Sequence, residues 1–228
     1  MTTPEIYKSN TVDLIRERES DPNFLILNTE QLSKPSELKQ LLDLGIHRII
    51  DYSLGNIQYL SSHGIVGRYL PYQVDRREIM DLPKTMDICF VGLFHGTYRK
   101  KIITALKRAG KNVTVINNLW GEARDKILFR HKILVNIHYN GSYNVLEQLR
   151  INRCILNKII VISEQSSDDD MYYLKSHIIS VEYGELVSKA VSYTHLDVYK
   201  RQANTQYRLF TESNQNDCVA HPYVSKLQ

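Results

Sequence analysis

The chain has 228 residues, 43% of them hydrophobic and 24% charged, with a formal net charge of +4. That composition fits a soluble globular protein of one large or two small domains. No run of about 18 apolar residues occurs, which argues against a membrane-spanning helix, and the charge is too mild to argue for a nucleic-acid partner.

In chain order, Phe24–Asn28 (FLILN) is a short apolar run behind the turn residues Asp21, Pro22 and Asn23, and reads as a strand. From Ser36, the positions Leu38, Leu41 and Leu42 follow helical spacing, and Gly45 supplies a stop. Arg48–Asp51 reads as a second strand, Asn56–Ser62 as a short helix ended near Gly64, and Arg68–Pro71 as a third strand. Residues 1–80 are therefore expected to form an abbreviated Rossmann-like unit, and Asp75–Thr85 a charged connector into the next.

A fuller unit is expected over residues 86–191. Ile88–Val91 (ICFV) is continuously apolar, as in a strand buried on both faces of a parallel sheet. A helix follows near Tyr98–Ala109, with Ile102, Ile103, Leu106 and Ala109 on one stripe and Gly110 at its end. Val113–Ile116 is the next strand and Ala123–Arg130 the next helix. Lys132–Glu164 then reads as strand, polar loop, amphipathic helix and strand, before a short strand in His177–Glu182 and a helix starting in Glu185–Val191. Alternation of this kind predicts an α/β protein with two Rossmann-like units built on parallel sheets.

Ligands of open α/β sheets bind beyond the carboxyl ends of the strands, so the loops there carry the candidate chemistry. In Gly92–Lys101 (GLFHGTYRKK), Gly92 and Gly96 permit a tight turn. Arg99, Lys100 and Lys101 at the helix start could neutralise a diphosphate, or form only a solvated basic face. Asn136, His138 and Tyr139 end the next strand, where an imidazole could donate to phosphate or act as a base, or simply bond a neighbouring loop. Glu147 is a carboxylate able to accept two ribose hydroxyl bonds, though an acid also suits a first helical turn for its own sake. Arg150, three residues on, could bind phosphate or pair with Glu147. Ser163 and Glu164 end the following strand on the same edge, with capping and loop polarity as the plainer explanation. Trp120 is expected to pack as core rather than stack on a base, and Gly121 and Glu122 to lie near the ligand. In the first unit Glu30, Asp51, Tyr52, Ser53 and Asn56 sit on carboxyl-edge loops, where Ser53 and Asn56 could equally be caps. Asp168–Asp170 reads as a solvated loop rather than a metal site.

Cys89, Cys154 and Cys218 have no metal-ligand spacing, and two of them fall in apolar runs where a buried thiol is expected. The opening MTTPEIYKSN has neither a basic start nor an apolar core, so no secretory signal is expected, and the reading is cytoplasmic. Past Val191 the string SYTHLDVYKRQ, residues 192–202, resembles a translated sequencing-adaptor segment found in many metagenomic gene sequences. Residues 192–228 are accordingly expected to be an artefactual or disordered tail that carries no function.

The ordered set Asn28–Leu32, Asp51–Leu60, Phe90–Gly92, Gly121–Asp125, Leu134–Tyr139, Leu146–Arg153 and Val161–Glu164 resembles a family of bacterial and large-virus glycosyltransferase-like proteins. The resemblance spans about residues 24 to 190 and implies the two-domain GT-B architecture, in which the C-terminal domain binds a nucleotide-sugar donor. It implies that Glu147 holds the donor ribose, that the Gly92–Arg99 loop lies near the diphosphate, and that no metal or cofactor is required. Arg99 and His138 would then be the catalytic pair. Gly92, Lys100, Glu122, Asn136, Tyr139, Arg150, Ser163 and Glu164 would line the donor site beside Glu147. Glu30, Asp51, Tyr52 and Asn56 would face the acceptor, a glycan, lipid or protein. Many retaining members carry a second glutamate eight residues before the ribose glutamate, and here that position is Tyr139. The expected reaction is displacement of nucleoside diphosphate from the anomeric carbon by an acceptor hydroxyl. A non-catalytic nucleotide-sugar-binding domain or inactive remnant, and a nucleotide-sugar epimerase, are the alternatives.

Overall fold

The computed structural model describes residues 24–29, 48–70, 75–167, 174–194, 203–205 and 210–212, and positions 13, 15, 17, 18, 21, 31, 32, 39, 42, 43, 207 and 208. The chain divides into two compact units, Met1–Tyr72 with Ser167–Asp170, and Gln73–Ser166 with Met171–Gln228. Glu30, most of the helix expected from Ser36, and Asp168–Asp170 lie outside the described residues.

The first unit is a parallel sheet of β1 (Ile26–Asn28), β2 (Arg48–Asp51) and β3 (Val66–Tyr69) in that spatial order, with α1 (Leu54–Ser62) in the crossover from β2 to β3. The helix begins two residues earlier than its apolar spacing suggests, because the Ser53 side chain accepts the Asn56 N–H and caps it. A Cβ at Gly67 would stand 2.7 Å from Ile57 Cδ1 and 3.2 Å from Leu60 Cδ1, so the glycine leaves room for these two side chains of α1 against β3. Register places Asn28 beside Asp51 at the carboxyl edge. There Asp51 accepts from Asn28 Nδ2 (2.6 Å), Asn56 Nδ2 (2.9 Å) and the Ser53 N–H (2.7 Å), while Asn56 Oδ1 accepts the Leu32 N–H at 3.0 Å. Asp51, Asn56 and Tyr52 are all buried, and Tyr52 donates to the Thr29 carbonyl. These side chains knit the edge of the sheet together. Asp51→Ala removes the common acceptor and is expected to lower stability by about 2–4 kcal/mol, read from the urea midpoint.

In the second unit β4 (Met86–Val91), β5 (Val113–Ile116), β6 (His131–Asn136), β7 (Ile160–Glu164) and β8 (Ile179–Val181) form one parallel sheet of order β5-β4-β6-β7-β8. Helices α2 (Thr97–Arg108), α3 (Gly121–Leu128) and α4 (Gln148–Leu156) provide the crossovers from β4 to β5, β5 to β6 and β6 to β7, and α5 (Leu186–Ser192) follows β8. Ile88, Phe90, Ile133, Val135, Ile160 and Ile162 pack with Ile102, Ile103 and Leu106 of α2 and with Leu186 and Ala190 of α5. Cys89 and Cys154 are buried free thiols, as their apolar surroundings predict. Beyond Val191, Lys111 Nζ donates to Thr194 Oγ1 at 2.9 Å, the described positions of 203–212 are helical, and Ala203 is buried in this same core.

Strand order reverses between β4 and β6, since β5 lies to one side of β4 and β6 to the other. That reversal parts the loops leaving β4 and β6 and opens the sheet's ligand-binding position between them. Among the described residues no helix is long and apolar enough to cross a membrane.

Candidate functional site

The loop leaving β4 begins at Gly92, whose φ of 137° is a conformation that side chains rarely adopt. A Cβ there would lie 3.6 Å from Arg150 Nη1 and 3.7 Å from Arg99 Nη1, so the glycine leaves space between two guanidinium groups. At the other end of this loop Gly96 caps α2 with no side-chain hydrogen bond, and Lys100 and Lys101 of the first turns are exposed. Helix amides without a side-chain cap, beside cations, favour an anion.

Arg99 is buried, unlike its lysine neighbours. Its Nε donates to the carbonyls of Ile137 and His138, both at 3.0 Å, and Nη1 donates to the Leu93 carbonyl at 2.8 Å. The guanidinium lies 5.3 Å from the Phe90 ring centroid and 5.5 Å from that of Tyr139. Arg99 thus clamps the loops after β4 and β6 to each other. Burial lowers its pKa while Glu147 acts in the opposite sense, and a guanidinium remains charged under either influence.

At the end of β6, Asn136 is register-paired with Ser163 of β7. Its Nδ2 donates to Glu147 Oε2 (2.7 Å) and Ser163 Oγ (3.0 Å), and its Oδ1 accepts from Arg150 Nη2 at 2.7 Å. Arg150 also donates to the Val91 carbonyl at 2.9 Å and stands 3.6 Å from Glu147 Oε1. The loop out of β6 runs as far as Glu147, so α4 starts only at Gln148 and Glu147 occupies its N-cap position without capping it. The carboxylate is turned instead toward the sheet edge, with 28% of its side chain exposed.

His138 is held from three sides. Its N–H donates to Glu164 Oε2 at 3.0 Å, its Nε2 lies 3.1 Å from both the Gln165 carbonyl and Ser166 Oγ, and its Nδ1 is 3.7 Å from Glu147 Oε2. A carbonyl only accepts, so Nε2 carries a proton. A neutral ring would then aim the Nδ1 lone pair at a carboxylate, and protonation replaces that repulsion by attraction. Burial by itself pulls the His138 pKa down, but Glu147, Glu164 and the Gln165 carbonyl outweigh it and the net shift is upward. Burial likewise raises Glu147, but His138, Arg150 and Asn136 prevail and hold it down at about 2. The 3.7 Å separation makes the His138–Glu147 contact an ion pair rather than a hydrogen bond.

The pair has a signature in pH. Glu147, depressed from 4.5, contributes stability that is present above pH 4.5 and lost as the pH falls toward 2. His138, raised above 6.5, contributes stability that is present below pH 6.5 and lost as the pH rises through its folded pKa. The pair's contribution is therefore expected to peak between pH 4.5 and 6.5. Glu147→Gln should flatten both flanks of this contribution, measured as wild-type-minus-variant urea midpoints at about pH 3, 5.5 and 9.

The structure thus gathers Gly92, Arg99, Asn136, His138, Tyr139, Glu147, Arg150, Ser163 and Glu164 at one edge. Lys100 lies beside them on the exposed side of α2. Glu122 stands apart from this network, on the surface of α3 and paired with Lys126 at 2.9 Å. Trp120 corrects the expectation of a core residue, for 76% of it is exposed at the start of α3. The Gly121–Asp125 and Leu146–Arg153 segments meet through Arg153 Nη2 and Asp125 Oδ2 at 2.6 Å, a part-buried link between α3 and α4. Tyr98 and Ser166 escaped the sequence reading. Tyr98 donates to Glu164 Oε1, and only the polar–apolar dual character of a tyrosine in the first turn of α2 hinted at it.

No protein-family model matches the chain. Among curated proteins it is 33% identical over 181 residues to uncharacterized protein L138 of Acanthamoeba polyphaga mimivirus, covering 74% of this chain and 20% of that protein. Uncharacterized protein L140 of the same virus is 32% identical over 166 residues, covering 69% of this chain and 54% of L140. The chain thus spans about half or less of the length of these relatives. Among solved structures, a trehalose-6-phosphate synthase, OtsA, superposes with a TM-score of 0.57 at 9% identity, covering 90% of this chain and 66% of its own. AviGT4, a glycosyltransferase involved in avilamycin A biosynthesis, gives 0.50 at 11% identity, covering 90% and 77%. The fold is α/β with parallel sheets, of the GT-B-like type that these structures share. Identities this low establish the architecture, with its parallel sheets, and leave the chemistry to be argued from the site.

Proposed function

We propose that this chain binds a nucleotide-sugar donor at the carboxyl edge of its five-stranded sheet and transfers the sugar to an acceptor hydroxyl. The observation that carries this reading is the Glu147–Asn136–Arg150–His138 cluster, at the strand-order reversal of a fold shared with glycosyltransferases. A carboxylate already oriented by Asn136, and still partly exposed, is suited to accept hydroxyl hydrogen bonds from a ribose. The gap over Gly92 and the start of α2 suit a diphosphate, with Lys100 the cation most available to touch it.

Transfer leaves negative charge on the departing diphosphate. Arg99 and Arg150 supply a fixed positive field there without having to reorganise, joined by His138 when its ring is protonated, since each is already held by backbone or carboxylate oxygens. Arg99 and His138 therefore act in this reading by charge and by shaping the loop, and Lys100 by contact. Tyr139, whose ring faces the Arg99 guanidinium, is assigned in this reading to the donor sugar. The acceptor, a glycan, lipid or protein, is assigned to the first unit through the loops that carry Glu30, Asp51, Tyr52 and Asn56. The buried Asp51 network would shape those loops rather than touch the acceptor.

The test is calorimetric titration of the full chain with a panel of nucleoside diphosphates. Selective micromolar binding of one diphosphate supports the donor site. Absence of heat across the panel, from a folded protein, sinks it.

A further inference from the structure

Tyr98 stands where three parts of the donor edge converge. Its hydroxyl donates to Glu164 Oε1 at the end of β7, and the other carboxylate oxygen, Oε2, accepts the His138 N–H at 3.0 Å. The same hydroxyl would lie 3.7 Å from a Cβ at Gly141, so the loop after β6 passes directly over it. The Tyr98 ring is itself fixed, stacked on Tyr183 with centroids 4.1 Å apart, while Tyr183 donates its hydroxyl to the Tyr98 carbonyl at 2.8 Å. A half-buried phenol immobilised in this way presents its proton in one direction, to Glu164.

We propose that Tyr98 and Glu164 are positioning residues of the donor site, which hold the His138 backbone and ring in the place that keeps the imidazolium against Glu147. The inference rests on the reading of this edge as the donor site. Neither residue need touch the ligand. The groups that face His138 are Glu147 at the start of α4, Glu164 at the end of β7 with the Gln165 carbonyl and Ser166 just after it, and Arg99 of α2, which grips the His138 carbonyl. Arg150 reaches it only through Glu147 and Asn136. Of these, Glu164 alone is tied to Tyr98 by a hydrogen bond, so a change at Tyr98 reaches His138 along that path.

The test compares the full-length wild type with Tyr98→Phe and Glu164→Gln. The His138 ring is titrated by NMR in the ligand-free protein, and nucleoside diphosphate affinity is measured against pH. Glu164→Gln removes a negative charge close to His138, and Tyr98→Phe lets the carboxylate swing away from it. Both are expected to lower the His138 pKa by about half a unit or more. Affinity should fall by about 5- to 20-fold, with the loss beginning at lower pH than in the wild type. Phenylalanine keeps the stacking on Tyr183, so a role confined to packing would leave the titration where it was. An unmoved His138 titration in both folded variants overturns the proposal. If no diphosphate binds even the wild type, the donor reading fails by itself, and the ligand-free titration still decides whether Tyr98 and Glu164 position His138.

Discussion

Glu147→Ala is expected to weaken nucleoside diphosphate binding by about 100-fold while the protein remains folded. Two hydroxyl hydrogen bonds to a carboxylate contribute roughly 1.5 kcal/mol or more each, and about 1.4 kcal/mol is a factor of ten in affinity. The substitution also takes from Asn136 Nδ2 its 2.7 Å acceptor and from His138 its nearest carboxylate, which leaves Glu164 and the Gln165 carbonyl as the groups that favour the protonated ring. Glu147→Gln keeps the size and one acceptor oxygen, and should fall between alanine and wild type. Calorimetry of both variants, with near-ultraviolet circular dichroism as the check on folding, separates loss of the ribose contact from collapse of the loop. A folded Glu147→Ala that binds as tightly as the wild type would remove Glu147 from the site.

Arg99→Met carries the second large effect, and it falls on stability first. Methionine approximates the aliphatic stem but withdraws the donors to the Ile137, His138 and Leu93 carbonyls. At about 1 kcal/mol for each hydrogen bond lost, the expected cost is roughly 3 kcal/mol. Arg99→Lys should recover only a small part of it, because a single ammonium cannot span three carbonyls on two loops as the planar fork does. Denaturation midpoints measure the cost. Hydrogen exchange locates it, with faster exchange expected in the loops after β4 and β6 while the β4–β6 core remains protected. Donor affinity should fall along with the loop order, in Arg99→Lys as well as in Arg99→Met. An Arg99→Lys protein of wild-type stability would mean that charge alone, not the fork, holds these loops.

Local signals were enough for most of the strands and for the carboxyl edge that gathers the candidate residues, although the third strand runs over Val66–Tyr69 rather than the expected Arg68–Pro71. Arg48–Asp51 and Val113–Ile116 are strands at the bounds their apolar pattern indicates. Asn136, His138, Glu147, Arg150, Ser163 and Glu164 could be assigned to one edge because each ends or follows a strand, or stands at the start of the helix after it, in the same parallel alternation. The spacing of Glu147 and Arg150 was legible for the same reason, and the two stand 3.6 Å apart. The start of α4 was not legible, because Asn144–Leu146 contains nothing that forbids a helix and only the path of the loop delays it to Gln148.

Periodicity reports which face of a segment is apolar; it does not report what a charged side chain will meet. Arg99, Lys100 and Lys101 are consecutive and look alike in sequence. Arg99 alone is buried, because its position on α2 faces carbonyls 38 and 39 residues further along the chain. Trp120 is a large apolar side chain of the kind that fills cores, yet it stands exposed at the start of α3, and apolar character alone does not say which side of a helix start faces water. The upward shift of His138 and the depression of Glu147 depend on distances among β6, β7 and the start of α4. The sequence by itself determined the α/β alternation, the strands, and the edge where a ligand would meet the sheet, since these follow from local pattern and chain direction. The tertiary structure alone decided which cation is a clamp and which is free to touch a ligand, and which carboxylate is ionised against which imidazole, because burial and charge pairing are properties of contacts between distant segments.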